Sequence, residues 1–308
     1  MPIGKQTSTT QLGQTSATSK EDKIYFELVN PKYSLSDIVV SHATMQEINA
    51  AISQKRDFEK VFNEMGFKET HRYSKKFIVN FYGEPGTGKT ITAHSIAKEF
   101  NKKLLIVDYS QIESKYVGDT PKNLKKVFEF ANTEDCIVFF DEADAILSRR
   151  VTNMQSATDT SVNQTRSVLL NILNDFEGDL IFATNFITNY DPAFMRRISK
   201  HVYFDLPDYE ARVRLYKKYI PSKFLPNIDV AALSESFDGL SAADIEKGVL
   251  MAAFHVVSLG VSDLTKEDIL HQMGLILKNK KDNSGGKTVA VRNVSKEYVK
   301  EKIGEIES

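Results

Sequence analysis

The chain has 308 residues, 41% of them hydrophobic and 26% charged, with a formal net charge of −1 at pH 7. This is the composition of an ordinary globular protein, ample for a buried core and by length for about two domains. The near balance of 40 Lys and Arg against 41 Asp and Glu excludes a global basic field of the kind that attracts nucleic acid, although a local patch is compatible with that sum. One cysteine, Cys136, excludes an internal disulfide, and with neither a run of about 18 apolar residues nor a signal-peptide core a cytoplasmic protein without a membrane partner is expected.

In chain order, Met1 to Lys20 is rich in Ser, Thr, Gln and Gly, and residues 1–22 are expected to form a disordered tail. Lys23 to Val29 reads as a short strand stopped by Asn30-Pro31. Tyr33 to Val40 leads into a helix from about Ala43 to Ser53, and Arg56 to Met65 carries Phe58, Val61 and Phe62 on one helical face. Phe77 to Tyr82 is an apolar β-type run, followed by Tyr-Gly-Glu-Pro-Gly-Thr-Gly-Lys-Thr-Ile from Tyr82 to Ile91. Thr90 to Phe100 then keeps Ile91, Ala93, Ile96 and Ala97 on one helical face.

Leu104 to Val107 reads as the next strand. Thr120 and Pro121 mark a helix start, as N-cap and first helical residue, and that helix runs to about Ala131 through Leu124, Val127, Phe128 and Phe130. Cys136 to Phe140 is a continuous apolar strand, as expected where both faces of a sheet are covered, and Cys136 reads as a packing residue. Arg149 to Gln164 reads as a polar loop and Thr165 to Phe176 as a helix. Leu180 to Thr184 and His201 to Phe204 complete a five-stranded parallel sheet flanked by helices.

Beyond Leu206-Pro207-Asp208 every segment reads as helical. Tyr209 to Tyr219 is amphipathic, Ser241 to Asp244 opens a long apolar helix with a capping-box pattern, and Thr265 opens another that runs to about Leu277. Asn279 to Lys287 reads as a charged loop and Ser295 to Ile306 as a final helix. The expected organisation is an α/β domain over residues 23–208 and a small all-helical domain over residues 209–308.

Two stretches carry chemistry. Gly83, Gly88, Lys89 and Thr90 fit G-x-x-x-x-G-K-[ST], the phosphate-binding P-loop, in its required strand–loop–helix setting. A triphosphate can be surrounded by main-chain N–H groups only where side chains are missing, which Gly83, Gly86 and Gly88 allow. Lys89 brings a cation to the β- and γ-phosphates, and the Thr90 hydroxyl is a natural Mg²⁺ ligand. The candidate nucleotide-binding set is thus Gly83, Glu84, Pro85, Gly86, Thr87, Gly88, Lys89, Thr90 and Ile91. In Phe139-Phe140-Asp141-Glu142-Ala143-Asp144 an apolar strand delivers adjacent carboxylates to the sheet edge where ligands bind in open α/β folds. Asp141 is placed to hold the Mg²⁺ shell and Glu142 to deprotonate the attacking water.

Gly83 to Thr90 together with Asp141-Glu142 resembles the AAA+ ATPases, and further motifs resemble the AAA clade proper. The resemblance implies a role for Asn185, in Phe182-Ala183-Thr184-Asn185, in holding the lytic water or γ-phosphate. Asp191 to Arg197 resembles the region that follows it in the family. Where relatives often carry Arg-Pro-Gly-Arg this chain has Arg196-Arg197, which implies arginine fingers reaching a neighbouring subunit's nucleotide and leaves open which arginine touches it. Tyr33 to Val40 resembles the segment beside the adenine, implying contacts from Ile38 and Val39. Gly239 to Asp244 resembles the sensor-2 turn, with Ala242 where Gly is usual and without the arginine other clades carry. Lys115, Tyr116, Val117 and Gly118 fall where the family has its first pore loop, whose aromatic ring grips an unfolded polypeptide; Arg149 to Gln164 would be the second.

The resemblance implies an ATP- and Mg²⁺-dependent protein remodeller, a homohexamer acting on a protein substrate through Tyr116. The stretch from Arg149 to Phe176 resembles the pachytene-checkpoint type, which remodels HORMA-domain proteins, and the short polar N-terminus leaves substrate choice to that tail, the pore or a separate adaptor that delivers the substrate. Two other classes stay open: a DNA-directed loader or helicase, which Tyr116 and the charge balance disfavour, and a nucleotide-switched scaffold.

Overall fold

The computed structural model describes residues 26–71, 76–108, 119–148, 157–185 and 190–283. The expected tail, the segment from Lys115 to Gly118 and the helix expected over Ser295 to Ile306 lie outside these residues. Six strands form one sheet: β1 (Phe26–Val29), β2 (Phe77–Gly83), β3 (Leu104–Asp108), β4 (Ile137–Asp141), β5 (Asp179–Thr184) and β6 (Lys200–Phe204), in the order β1-β3-β4-β5-β2-β6. Strands β3, β4, β5, β2 and β6 are mutually parallel, the five-stranded arrangement expected from the apolar runs. The sheet has one strand more than that reading: β1 pairs antiparallel with β3 and closes its edge, Phe26 opposite Val107 and Val29 opposite Leu104.

The apolar runs are continuous because both faces are covered. Ile78, Val138, Phe140, Leu180 and Phe182 pack on one side with Leu124, Val127 and Phe128 of α3 (Asp119–Glu134) and Leu169 and Leu173 of α5 (Ala157–Asp175). Val79, Phe81, Phe139, Ile181 and Ala183 pack on the other side with Ile48 and Ile52 of α1 (His42–Arg56) and Ala93 and Ile96 of α2 (Lys89–Glu99). Cys136 is buried among the first set. Helix α5 begins at Ala157, so the second half of the expected Arg149–Gln164 loop is helical. Its first two turns have almost no apolar residue to give a periodic signal; buried Arg166 holds the region, donating to Asn163 Oδ1 at 3.2 Å and Ser148 Oγ at 2.5 Å.

Among the described residues four α-helices follow β6: α7 (Tyr209–Tyr219), α8 (Val230–Ser236), α9 (Ala242–Ser258) and α10 (Lys266–Asn283). They enclose their own apolar cluster around Tyr216, Leu233, Ile245, Ala252, Ile269 and Met273. The expected capping box at Ser241 is present, with Asp244 N–H donating to Ser241 Oγ at 3.2 Å and Ser241 N–H to Asp244 Oδ2 at 2.8 Å. The expected loop from Asn279 begins later, because α10 runs on to Asn283 with Lys280 paired to Asp244 at 2.6 Å. No described helix is long and apolar enough to cross a membrane.

At the sheet edge opposite the P-loop, Asp179 is fully buried at the start of β5 and paired with Lys55 at 2.6 Å and Lys102 at 2.9 Å. It ties α1, the α2–β3 connection and the central strand together. Asp179→Ala leaves two largely buried ammonium groups without their shared anion, and should cost about 3 kcal/mol. In a urea titration the midpoint should fall while the slope stays unchanged.

Candidate nucleotide site

Strands β4, β5 and β2 are neighbours, and all three end on the same edge of the sheet. That edge receives Asp141 from β4, Asn185 just past β5 and Gly83 from β2. The chain leaves β2 at Gly83, turns through the loop, and enters α2 at Lys89. Two glycines are required by close approach as well as by backbone angle. Gly83 has φ 142° and a Cβ there would lie 2.0 Å from the Phe204 carbonyl oxygen. Gly86 has φ 75° and a Cβ there would lie 2.8 Å from the Ala243 Cβ. The Gly86 carbonyl accepts the Ala243 N–H at 3.1 Å, so the loop is bonded directly to the start of α9.

Lys89 is buried, and its ammonium donates to the Gly83 carbonyl at 2.6 Å, the Glu84 carbonyl at 3.0 Å and Asn185 Oδ1 at 3.2 Å. Burial lowers its pKa, while the carboxylates of Asp141, Asp144 and Glu84 oppose that shift. Thr90 Oγ1 donates to Asp141 Oδ2 at 3.1 Å. These two oxygens are hard donors of the kind Mg²⁺ takes when it keeps several waters and shares phosphate oxygens. Among the described residues no group of three or more His, Cys, Asp or Glu forms a metal cage.

Glu142 stands exposed at the rim with φ 50°, in the left-handed region that non-glycine residues seldom occupy. Its N–H donates to Asp141 Oδ1 at 3.0 Å, and the next N–H, of Ala143, crosses to the Ala183 carbonyl at 2.9 Å. The chain therefore turns sharply off β4 and swings Glu142 toward the cavity instead of along the strand. Asp144 accepts the Asn185 N–H at 3.1 and 3.2 Å and fixes that residue beside Lys89.

These groups face a cavity of about 300 Å³, walled by Pro85, Gly86, Gly88, Lys89, Thr90 and Ile91 of the loop and α2, by Asp141, Glu142 and Asn185, and by Tyr219, Ala242, Ala243 and Glu246 of the helical region. A narrow slot adjoins it, lined by Asp37, Ile38, Val39, Val40, Leu215 and Lys218, and shares Gly88, Ile91, Tyr219 and Ala242 with the cavity. Arg214 Nη2 donates to the Val40 carbonyl at 2.5 Å and Lys218 Nζ to the Asp37 carbonyl at 2.8 Å, so α7 holds the slot's outer wall. A glycine-walled cavity with one buried ammonium, two oxygen donors for a metal and a carboxylate at the rim suits a nucleotide with its phosphates at the loop and its base in the slot.

Residues 79–206 match the ATPase family associated with various cellular activities (AAA). This chain carries an AAA ATPase domain. It is 34% identical over 226 residues to the 26S proteasome regulatory subunit 4 homolog of Dictyostelium discoideum, covering 70% of this chain and 49% of that protein. It is 29% identical over 273 residues to the proteasome-activating nucleotidase of Pyrococcus horikoshii, covering 86% of this chain and 67% of the relative. The nucleotidase of Archaeoglobus fulgidus is 31% identical over 271 residues, 85% of this chain and 66% of the relative. The chain thus spans about half the length of the first and about two thirds of the other two.

Within the AAA domain the arginine pair is divided by its surroundings. Both follow the short helix α6 (Pro192–Met195), and neither lines the cavity of its own chain. Arg197 donates to Asn174 Oδ1 at 2.9 Å and to the Ala193 carbonyl at 2.7 Å. Arg196 is exposed and makes no side-chain hydrogen bond or ion pair among the described residues. Of the expected loop residues, Glu84 is exposed and outside the cavity wall, and Thr87 is buried, donating to the Glu84 carbonyl at 2.8 Å. The sequence reading missed Asp144, Tyr219, Ala243 and Glu246. Two of them had a signal: Asp144 by its place three residues beyond Asp141, and Ala243 by its place in the Gly239 to Asp244 turn.

The contact between the loop and α9 is testable. Gly86→Ala puts a methyl group against Ala243 and Ser241 at a φ that L residues avoid. It should cost about 2 kcal/mol of stability and weaken ADP binding at least about tenfold, read by thermal unfolding and calorimetry.

Proposed function

We propose that the chain is an ATP-driven protein unfoldase that works as a homohexamer, with its active sites completed between subunits. The observation that carries this is Arg196: an exposed guanidinium that makes no hydrogen bond or ion pair among the described residues and lines no part of its own chain's cavity. A dissociating γ-phosphoryl group spreads charge that needs a second cation besides Lys89, and a guanidinium from the next subunit supplies it. The relatives named as proteasome-activating nucleotidases and as a 26S proteasome regulatory subunit support the protein-substrate reading.

In this reading Lys89 and the main chain of Gly83 to Thr90 hold the phosphates, and Ile38 and Val39 meet the adenine. Thr90 and Asp141 would hold Mg²⁺, which when bound would supply positive charge against the charge on the phosphates. Glu142 takes the proton from the attacking water, and its swing off β4 puts its carboxylate at the rim where water enters. Asn185 is held by Asp144 to orient that water or the γ-phosphate. Arg196 reaches the neighbour's nucleotide, while Arg197, tied to Asn174, sets the shape of the interface. Lys115, Tyr116, Val117 and Gly118 grip the polypeptide in the channel. A HORMA-domain complex is one protein substrate of this class, and the proteasome names of the relatives favour a broader unfolding role.

Complementation tests the shared site. Glu142→Gln should bind ATP yet turn over on the order of 10²-fold more slowly, and Arg196→Ala should be comparably slow. Mixed rings of the two inactive variants contain interfaces with an intact Glu142 facing an intact Arg196, so mixing should restore ATPase activity. No recovery on mixing would sink the shared-site reading. Tyr116→Ala should abolish ATP-dependent unfolding of a fluorescent protein substrate while Tyr116→Phe retains it; retained unfolding in Tyr116→Ala would remove the pore-loop assignment.

A further inference from the structure

The junction between the phosphate cavity and the base slot is built by the helical region. Gly88, Ile91, Tyr219 and Ala242 line both spaces. A nucleotide with its phosphates on the P-loop and its base in the slot must place its ribose here. The polar groups at that position are the Tyr219 hydroxyl, on the last residue of α7, and the Glu246 carboxylate, one turn into α9 beyond Ala242.

We infer that Glu246, with Tyr219 beside it, reads the ribose of the bound nucleotide, its two carboxylate oxygens accepting hydrogen bonds from the vicinal 2′- and 3′-hydroxyls. This rests on the nucleotide reading of the cavity and adds to it a choice of ribonucleotide over deoxyribonucleotide.

Three observations support the assignment over other roles for an acid in this place. An ionised carboxylate only accepts, and a ribose edge offers two adjacent donors, a pairing that is charge-assisted. Facing the phosphates, the same group would be repelled, and the phosphate end already has Lys89 and the loop N–H groups. Facing the adenine amine, it would have to line the slot, and Glu246 does not. Glu246 forms no ion pair among the described residues, so its charge is not already neutralised. The Tyr219 hydroxyl has its pKa pushed up to about 12, by burial first and then by the Glu246 charge. It is therefore protonated at neutral pH and presents a donor toward the acid, which steadies the carboxylate at the junction.

Calorimetric titration of the full chain with ADP, 2′-deoxy-ADP and IDP, in Mg²⁺, tests this. The wild type should bind ADP about tenfold more tightly than 2′-deoxy-ADP, as for loss of one hydrogen bond to a charged group. Glu246→Ala should bring the two within about twofold by weakening ADP alone, and Glu246→Gln, which keeps an acceptor oxygen, should fall between. Equal weakening of ADP and 2′-deoxy-ADP in Glu246→Ala overturns the inference, because it assigns the residue to the shape of the pocket. A change in the ADP-to-IDP ratio instead also overturns it, because it places the acid at the base. If the wild type binds none of the three, the nucleotide reading itself fails, and this is seen before any variant is made.

Discussion

A loop that binds phosphate with its own main chain has no side chains to hold it in place, so everything at this site depends on how Gly83 to Thr90 is held from outside. The sheet holds one end, where Gly83 lies against the Phe204 carbonyl too closely for any Cβ. The helical region holds the middle, through the Ala243 N–H on the Gly86 carbonyl. The loop also grips itself, since Thr87 donates to the Glu84 carbonyl and Lys89 spans back to the Gly83 and Glu84 carbonyls. Each bond contributes on the order of 1 kcal/mol. Their effect is mainly geometric: they fix the course of the loop between β2 and α2.

The same economy governs the acids at the end of β4. Asp141, Glu142 and Asp144 stand within four positions, yet each has different work because the backbone parts them. Asp141 continues the strand and meets Thr90. Glu142 is thrown outward by its left-handed turn, a conformation that costs about 1 kcal/mol or more and is held by the bonds on either side of it. Asp144 faces inward and binds the Asn185 N–H. One carboxylate is left against Thr90, one exposed at the rim and one on the Asn185 N–H, without three like charges converging on a single point.

How much of this was legible in the sequence follows from how local each feature is. The P-loop and the Asp141-Glu142 pair are contiguous, and their chemistry is written in their spacing. The parallel strands were legible because a sheet covered on both faces demands unbroken apolar runs. The antiparallel pairing of β1 was not, since a four-residue strand carries no sign of its partner's direction. Helix α8, seven residues behind an Asp229 cap, lacked the length for a periodic signal. Tyr219 escaped because nothing near it speaks of nucleotide, and Glu246 because the Gly239 to Asp244 turn stops short of it; both reach the cavity only when α7 and α9 fold back over the sheet edge. The arginine pair shows the same limit from the other side. Arg196 and Arg197 are indistinguishable as neighbours in sequence, and only Asn174, on α5, separates them.

The slot of about 20 Å³ beside the cavity links these parts. Its outer wall, Asp37 to Val40, is held from α7 by Lys218 and Arg214, and its inner wall is the start of α2 and α9. A base seated in the slot would lie between α7 and the segment α7 holds. Helix α7 belongs to the same apolar cluster as α9, and α9 carries the N–H that holds Gly86. The slot, the helical region and the P-loop are thus joined through direct bonds. Nucleotide binding can shift the helices only as far as its contacts differ between the two positions. The contacts that can differ are the ones that cross this junction: the loop-to-α9 bond, the two cations of α7 and the side chains at the ribose.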